Sequence, residues 1–198
     1  MKKFLVTGFE SFDGQTVNPT HELIKVLNFN PLFKSQVTFE VLPVSFENCW
    51  MNLKKLNLKK FDGIILMGQA AGRSKISFER VALNWNETIR PDNDGVVPPE
   101  GPIDDGPLAY LTNAPISNWK KTMDSIFPGL QEISLSAGSY VCNNVYYRTC
   151  RELADQTKTW SVFIHVPFME EQGSPHIPLS MQLSWMEKFL SECVLVEN

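Results

Sequence analysis

Short apolar runs alternate with stretches of helical periodicity along the whole chain. Five runs rich in β-branched residues have the length of buried strands: KFLVTG, VTFEVLPV, GIILMG, QEISL and WSVFIHVP. Four segments place apolar residues three and four positions apart, as amphipathic helices do: NPTHELIKVLN, FENCWMNLKKLNL, ISNWKKTMDSIF and PLSMQLSWMEKFLSE. This alternation favours a largely parallel sheet, because parallel strands need long crossovers and helices supply them.

Two segments modify this picture. The run SFERVALNWN, residues 77–86, alternates like an antiparallel strand, so the sheet is predicted to be mixed. Residues 89–107 are rich in Pro, Gly and Asp without periodicity, and they predict a long connection of the kind that often shapes a site. We expect a single α/β domain over residues 1–198, with three α/β/α layers and a mostly parallel, mixed central sheet.

Composition narrows the possible partners. The 198 residues are 43% hydrophobic and carry a net charge of -4 without basic runs, so the positive surface that nucleic acid or an anionic membrane requires is missing. No apolar run approaches the length of a membrane span. The four cysteines form no CxxC pair and no disulfide framework, which favours a reducing, cytoplasmic location. We therefore expect neither a nucleic acid nor a membrane partner.

Cys142 stands where the small-residue stretch SAGSY gives way to a predicted helix. It shares one helical face with Val145, Tyr146 and Thr149, so it could simply pack in the core. It would also lie in the first helical turn, where free N–H groups and the helix dipole stabilise a thiolate and could hold an oxyanion. The pattern leaves both interpretations open.

A cysteine nucleophile usually needs a base, and the chain has three histidines. His21 falls in an early amphipathic helix and His176 in a loop with Pro and Gly, so both are expected to be solvated. His165 ends the strand WSVFIHVP, and ligands collect at the carboxyl ends of parallel strands. The alternative for His165 is a core histidine with both nitrogens bonded.

Glu79 is the acidic candidate that could accompany the histidine. It lies on SFERVALN among apolar neighbours, and strand alternation turns it inward when Arg80 turns outward. A carboxylate in such surroundings needs a partner, although an ordinary salt bridge at a strand edge would also provide one. Cys142, His165 and Glu79 together form a coherent but nonspecific triad.

Several motifs, in order and spacing, carry a resemblance to a known family. They are LVTGFESFDGQTVNPT, GQAAGRSKISFERVALNWN, PDNDG, DGPLAYLTNAPI, SAGSYVCNNVYY and FIHVPFMEEQ. From the first strand to the last helix the chain resembles the pyroglutamyl peptidase type I family, also called pyrrolidone-carboxylate peptidases. The resemblance implies a cysteine exopeptidase that removes an N-terminal pyroglutamyl residue from blocked peptides through a thioester acyl-enzyme. It also implies a homo-oligomer, a tetramer, that needs no metal or organic cofactor.

The resemblance assigns roles to residues of this chain. The nucleophile falls on Cys142, the histidine base on His165 and the acidic member on Glu79. The pyroglutamyl lactam is small, flat and uncharged, so a narrow, apolar and neutral pocket suits it. The resemblance lines that pocket with Phe9, Phe12, Asn18, Gln69 and Tyr140. Locally, the two phenylalanines could instead be core residues, Asn18 a helix cap and Gln69 part of a turn.

The chain departs from the family pattern at two loops. Ser11 and Asp13 stand where members commonly have Pro and Gly. The family arginine before PDN, close to the nucleophile, stands at the position of Ile89, one residue before Arg90. A shift by one residue on an extended segment reverses the facing of a side chain. Either the loop bulges and Arg90 lines the substrate site, or the arginine's role is lost or altered.

Two other functions remain possible for the sequence. The loop departures favour a cysteine amidase that acts on another small or cyclic amide. A noncatalytic small-molecule binding module would use TGFESFDG after the first strand to hold an anion, but that loop has no P-loop lysine and no GxGxxG.

Overall fold

The structure is a computed structural model that describes residues 1–195. Its main sheet has six strands. They are β1 (Phe4–Phe9), β2 (Val37–Leu42), β3 (Gly63–Gln69), β4 (Ile76–Glu79), β7 (Gln131–Ser134) and β8 (Trp160–Val166). A separate antiparallel pair consists of β5 (Val81–Leu83) and β6 (Ala109–Leu111).

The strand order in the main sheet is β2-β1-β3-β8-β4-β7. The first four of these strands are parallel to one another. β4 runs antiparallel to β8 and parallel to β7. The sheet is therefore mostly parallel and mixed, as the sequence predicts. No helix within residues 1–195 combines the length and the apolar character that crossing a membrane requires.

Helices cover both faces of the main sheet. They are α1 (Pro19–Leu27), α2 (Asn48–Lys55), α3 (Ile116–Ile126), α4 (Val141–Glu152) and α5 (Leu179–Phe189), which continues into a π turn over Leu190–Val194. α1, α3 and α5 pack together on one face, whereas α2 and α4 contact each other on the other face. Each face has its own apolar core. The predicted three-layer α/β/α fold is confirmed.

Two element boundaries differ from the prediction. SFERVALNWN is not one strand, because the chain changes sheets at Arg80: its N–H donates to Ser134 of the main sheet at 2.8 Å, and its carbonyl accepts from Thr112 at 2.9 Å. The helix predicted over FENCWMNLKKLNL ends at Lys55, because Asn57 adopts a φ of 51° that a right-handed helix does not allow.

The long connection over residues 89–107 is tied to the body of the protein by two buried side chains. Asn84 accepts the N–H groups of Ile103 (2.7 Å) and Asp104 (3.1 Å), and its amide donates to two carbonyls of the same segment. The Asp92 carboxylate accepts the N–H of Phe46 at 2.8 Å. Because buried polar groups need partners, these bonds give a loop without regular structure one defined path beside the carboxyl end of the sheet.

Candidate active site

A pocket of about 610 Å³ lies at the carboxyl ends of β3 and β8. Cys142, His165 and Arg73 line it, together with the first part of the long connection. The parallel strands end here and their loops converge, which is where an α/β sheet places its ligands. The predicted nucleophile and base therefore share one pocket.

The nucleophile candidate sits at the start of α4. Cys142 is the second residue of this helix, half-buried, after a turn in which Gly138 has a φ of +82°. A Cβ added to Gly68 of β3 would lie 2.9 Å from the Cys142 sulfur. Gly68 is also the register partner of His165 on β8. Because glycine has no Cβ, the Cys142 sulfur fits against β3 at Gly68, next to His165 on the neighbouring strand.

We expect Gly68→Ala to lower kcat/KM for the chain's substrate roughly 100-fold, because the new Cβ displaces the sulfur or the Phe163 ring, whose Cζ would lie 2.7 Å away. Gly63→Ala, at the start of the same strand, is the matched control. Its Cβ would clash with the Trp160 ring, so the substitution should lower thermal stability yet spare kcat/KM. Equal losses of kcat/KM in both variants would contradict this account.

His165 is held by Glu79. Its Nδ1 lies 2.7 Å from Oε1 of Glu79, and both side chains are buried, with exposed fractions of 5% and 0%. Glu79 is the register partner of Phe163, so the carboxylate and the imidazole are diagonal neighbours on the same face of the sheet. Because a carboxylate only accepts, Nδ1 carries the hydrogen and the neutral ring presents a lone pair at Nε2.

Arg73 completes this group, and the sequence interpretation did not include it. Its Nη1 donates to the same Oε1 of Glu79 at 2.6 Å, and its Nη2 donates to the Ser136 carbonyl at 3.1 Å. Arg80 turns away and donates to Ser117, as strand alternation predicts. The signal that could have identified Arg73 is its place in GQAAGRSK, directly after the carboxyl end of β3.

The charge environment of the thiol differs from the expectation. Burial, and then the charge of Glu79, raise the pKa of Cys142 to about 12, while Arg73 and the thiol's own backbone N–H lower it. The backbone N–H at the helix start thus lowers the pKa of the thiol as expected, but desolvation outweighs this effect. Burial also lowers the pKa of His165, against the opposing effect of Glu79.

A narrow recess opens beside Cys142 and contains the predicted substrate residues. Its lining consists of Phe9, Phe12, Asn18, Val44, Gln69, Tyr140, Val141 and Cys142. The Phe12 and Tyr140 rings stack with centroids 6.2 Å apart. Tyr140 also donates its hydroxyl to the Pro91 carbonyl at 2.8 Å. None of the eight described residues that line the recess carries a carboxylate or a basic amine, so its lining is uncharged. Its volume of about 10 Å³ has room for one water molecule, and a ring enters only when the side chains move apart.

Asn18 has the structural role weighed from the sequence, whereas Gln69 is the last residue of β3 and not part of a turn. Asn18 caps α1, since its Oδ1 accepts the Thr20 N–H at 2.9 Å, and its amide donates to the Glu10 carbonyl at 2.9 Å. Gln69 accepts from the Gln172 amide at 2.8 Å. Both therefore border the recess with side chains that are already bonded within the protein, and their contact with a substrate stays a prediction.

Arg90 reaches the pocket wall despite its shifted position. Ile89 is 95% exposed, whereas the Arg90 side chain lines the pocket and pairs with Asp13 at 3.1 Å. Asp13 has a φ of 55°, which is unusual for a residue other than glycine. The two departures from the family pattern thus contact each other across the pocket mouth. Because both side chains are mostly exposed, this ion pair contributes little to stability.

The other two histidines differ from His165. His176 is exposed, with Nδ1 2.9 Å from the Gly173 carbonyl oxygen, as the sequence predicts. His21 lies on α1 and is half-buried rather than fully solvated.

Comparisons with known proteins identify relatives of this chain. The sequence model of the pyroglutamyl peptidase family matches residues 2–190. A pyrrolidone-carboxylate peptidase from Thermosipho melanesiensis is 42% identical over 174 residues, which cover 86% of this chain and 85% of the relative. The crystal structure of pyroglutamyl peptidase I from Bacillus amyloliquefaciens is similar with a TM-score of 0.89 and 32% identity, covering 100% of this chain and 99% of that one.

A third similar protein is the pyrrolidone carboxyl peptidase of Fervidobacterium islandicum, with a TM-score of 0.88 and 31% identity over 96% of this chain and 97% of that one. These similarities do not favour the amidase or the binding module as an alternative. Because the family match spans nearly the whole chain and the relatives align with it at high coverage, the chain belongs to the pyroglutamyl peptidase family.

Proposed function

We propose that this protein hydrolyses the amide bond that follows an N-terminal pyroglutamyl residue, with Cys142 as nucleophile, His165 as base and Glu79 as the acid that orients the imidazole. The observation that carries the proposal is the shared position of Cys142: it lines both the pocket with His165 and the uncharged recess. A reacting carbonyl at the mouth of the recess would meet the sulfur and the base together.

The raised pKa of the thiol decides how the reaction starts. Because burial raises the pKa of Cys142, the attacking thiolate forms as the sulfur gives its proton to Nε2 of His165, and it then adds to the pyroglutamyl carbonyl. Free N–H groups at the start of α4 stabilise the oxyanion. His165 then gives the proton to the leaving amine. Water, deprotonated by His165, hydrolyses the thioester and releases pyroglutamate.

The recess supplies the specificity. Phe12 provides apolar surface for the five-membered ring, backed by Phe9, which is 2% exposed and packs in the core as the sequence also allowed. The Tyr140 backbone and the Gln69 position border the recess. An open-chain N-terminal glutamine brings a charged ammonium group, and no carboxylate lines the recess among the residues that the structure describes. Burying that ammonium without a partner costs several kcal/mol, which predicts strong discrimination.

The test is a matched pair of fluorogenic amides, one with an N-terminal pyroglutamyl group and one with a free glutaminyl group. We expect the purified, reduced protein to hydrolyse the lactam with a kcat/KM roughly 10³-fold or more above that for glutamine, because the unpaired ammonium weakens transition-state binding. A glutaminyl amide cleaved with comparable kcat/KM would contradict the proposed substrate.

Four further properties complete the proposal. We propose that residues 1–198 form a single domain, of which residues 196–198 lie outside the described residues, and that Arg90 contacts substrate at the pocket wall. We also propose a cytoplasmic homo-oligomer, a tetramer by family resemblance. The exposed apolar side chains of Ile89, Leu108 and Leu111 are available for contacts with other copies. Light scattering of the purified protein measures the oligomer's mass.

A further inference from the structure

One oxygen atom connects three parts of the site. Oε1 of Glu79 accepts both from His165 Nδ1 at 2.7 Å and from Arg73 Nη1 at 2.6 Å. Oε2 of Glu79 is buried and has no hydrogen-bond partner among residues 1–195. The second arm of the Arg73 guanidinium donates to the Ser136 carbonyl, in the turn that leads to Cys142. Among residues 1–195, Arg73 is thus the only side chain that bonds both the Glu79 carboxylate and the turn before Cys142.

We propose that Arg73 is a positioning residue of this site, one that holds the Glu79 carboxylate against His165 and ties it to the turn before Cys142. The inference rests on the roles proposed above for these three residues. A planar guanidinium suits the task, because its two arms hold two acceptors in fixed directions. Lysine, with one ammonium group on a flexible stem, can satisfy one of these acceptors but not both.

The backbone of Glu79 does not depend on Arg73. Strand pairing holds the Glu79 backbone between β7 and β8. The buried Tyr146 hydroxyl of α4 also donates to the Glu79 backbone carbonyl at 3.0 Å. The effect of removing Arg73 therefore falls on the carboxylate, on the charge that His165 experiences and on the Ser136 turn. This separation makes the role of Arg73 measurable without disrupting the sheet.

The charge of Arg73 also acts on the reacting groups. It lowers the pKa of His165 and the pKa of Cys142, opposing Glu79 in both cases. Four charged or titratable groups surround His165: Glu79 from β4, Arg73 from the loop after β3, and Cys142 and Tyr140 at the start of α4. Four more line the pocket further away: Asp13, Glu87, Arg90 and Asp92. With Arg73 gone, Glu79 would act on the imidazole unopposed, and His165 would bind a proton at higher pH.

The experiment compares Arg73→Met, Arg73→Lys and the control Arg80→Met in the full-length protein. We expect Arg73→Met to lower kcat on a pyroglutamyl amide roughly 10- to 100-fold, and to move the acid limb of the kcat/KM profile up by about one pH unit. Arg73→Lys keeps the charge, so its acid limb should stay in place while kcat falls roughly 10-fold. Arg80→Met removes a neighbouring arginine that faces Ser117 and should leave both quantities unchanged.

A second readout does not depend on substrate. At one fixed alkaline pH, iodoacetamide alkylation of Cys142, followed by peptide mapping, should be roughly 3- to 10-fold slower in Arg73→Met than in wild type, because the thiol loses a neighbouring cation. If wild type failed to hydrolyse the pyroglutamyl amide, the proposed function would be wrong, yet this alkylation difference would still decide the role of Arg73.

Two results would overturn the inference. The first is a wild-type kcat in Arg73→Met. The second is a lower kcat with an unmoved acid limb and unchanged alkylation of Cys142, which would reveal a purely structural role. Should Arg73→Met not fold, Arg73→Lys carries the test, and a wild-type kcat in that variant would overturn the inference as well.

Discussion

A Cys142→Ala variant is expected to lose pyroglutamyl amide hydrolysis by roughly 10⁴-fold or more, because the proposed reaction has no other route to the acyl-enzyme. The fold should persist. The Cys142 sulfur is half-buried at a pocket wall, so its removal leaves no sealed cavity, and the free energy of unfolding should change by less than about 1 kcal/mol. Initial rates and thermal unfolding of the two proteins measure both effects.

Cys150 provides the matched control for this substitution. It lies two turns further along the same helix, buried, with its sulfur 3.5 Å from the Ser161 hydroxyl. Cys150→Ala should keep kcat within about twofold of wild type, although it should lower stability, because this sulfur is packed in the core. Turnover that persists in Cys142→Ala, or that disappears equally in Cys150→Ala, would refute the assignment of the nucleophile.

Glu79→Gln is expected to have the second-largest effect, lowering kcat by roughly 10²- to 10⁴-fold. An amide of the same shape removes the negative charge that stabilises the imidazolium, and it no longer compels the tautomer with hydrogen on Nδ1. Removing one partner of a buried pair also leaves Arg73 uncompensated. Because the Arg73 side chain is 26% exposed, we expect a loss of about 2–3 kcal/mol in the free energy of unfolding.

The pH profile separates this variant from the arginine variant. Glu79 raises the pKa of His165, so its removal should lower that pKa further and move the acid limb of kcat/KM to lower pH, opposite to Arg73→Met. Glu132→Gln on β7 is the control, since within residues 1–195 Glu132 accepts only from the Ser77 hydroxyl at 3.0 Å and is not among the residues that line the pocket. An acid limb that moves up in Glu79→Gln would contradict the account.

Periodicity predicted most of the fold because each strand and helix presents its own apolar pattern. The run GIILMG is buried throughout as β3, and the alternation around Glu79 and Arg80 places one inside and the other outside. The position where SFERVALNWN changes sheets could not be read from the sequence. It depends on two backbone hydrogen bonds, one from the Arg80 N–H to Ser134 and one from Thr112 to the Arg80 carbonyl, and both partners are distant along the chain.

For the candidate site, the positions of the residues could be predicted, but the electrostatic environment of the thiol could not. The resemblance named residues that the structure gathers around one pocket, because the family motifs follow the carboxyl ends of strands. The raised pKa of Cys142 could not be predicted, since it depends on burial and on Glu79, which local position at a helix start does not reveal. The same holds for Arg90: its contact with Asp13 joins two loops 77 residues apart.

The central claim is that Cys142 carries the pyroglutamyl group during turnover. The most direct measurement is rapid mixing of wild-type protein with a pyroglutamyl amide, acid quenching during turnover and peptide mapping by mass spectrometry. The account predicts a pyroglutamyl thioester on the peptide that contains Cys142 and on none of those that contain Cys49, Cys150 or Cys193. An adduct on another cysteine, or steady turnover without any adduct that continues in Cys142→Ala, would contradict it.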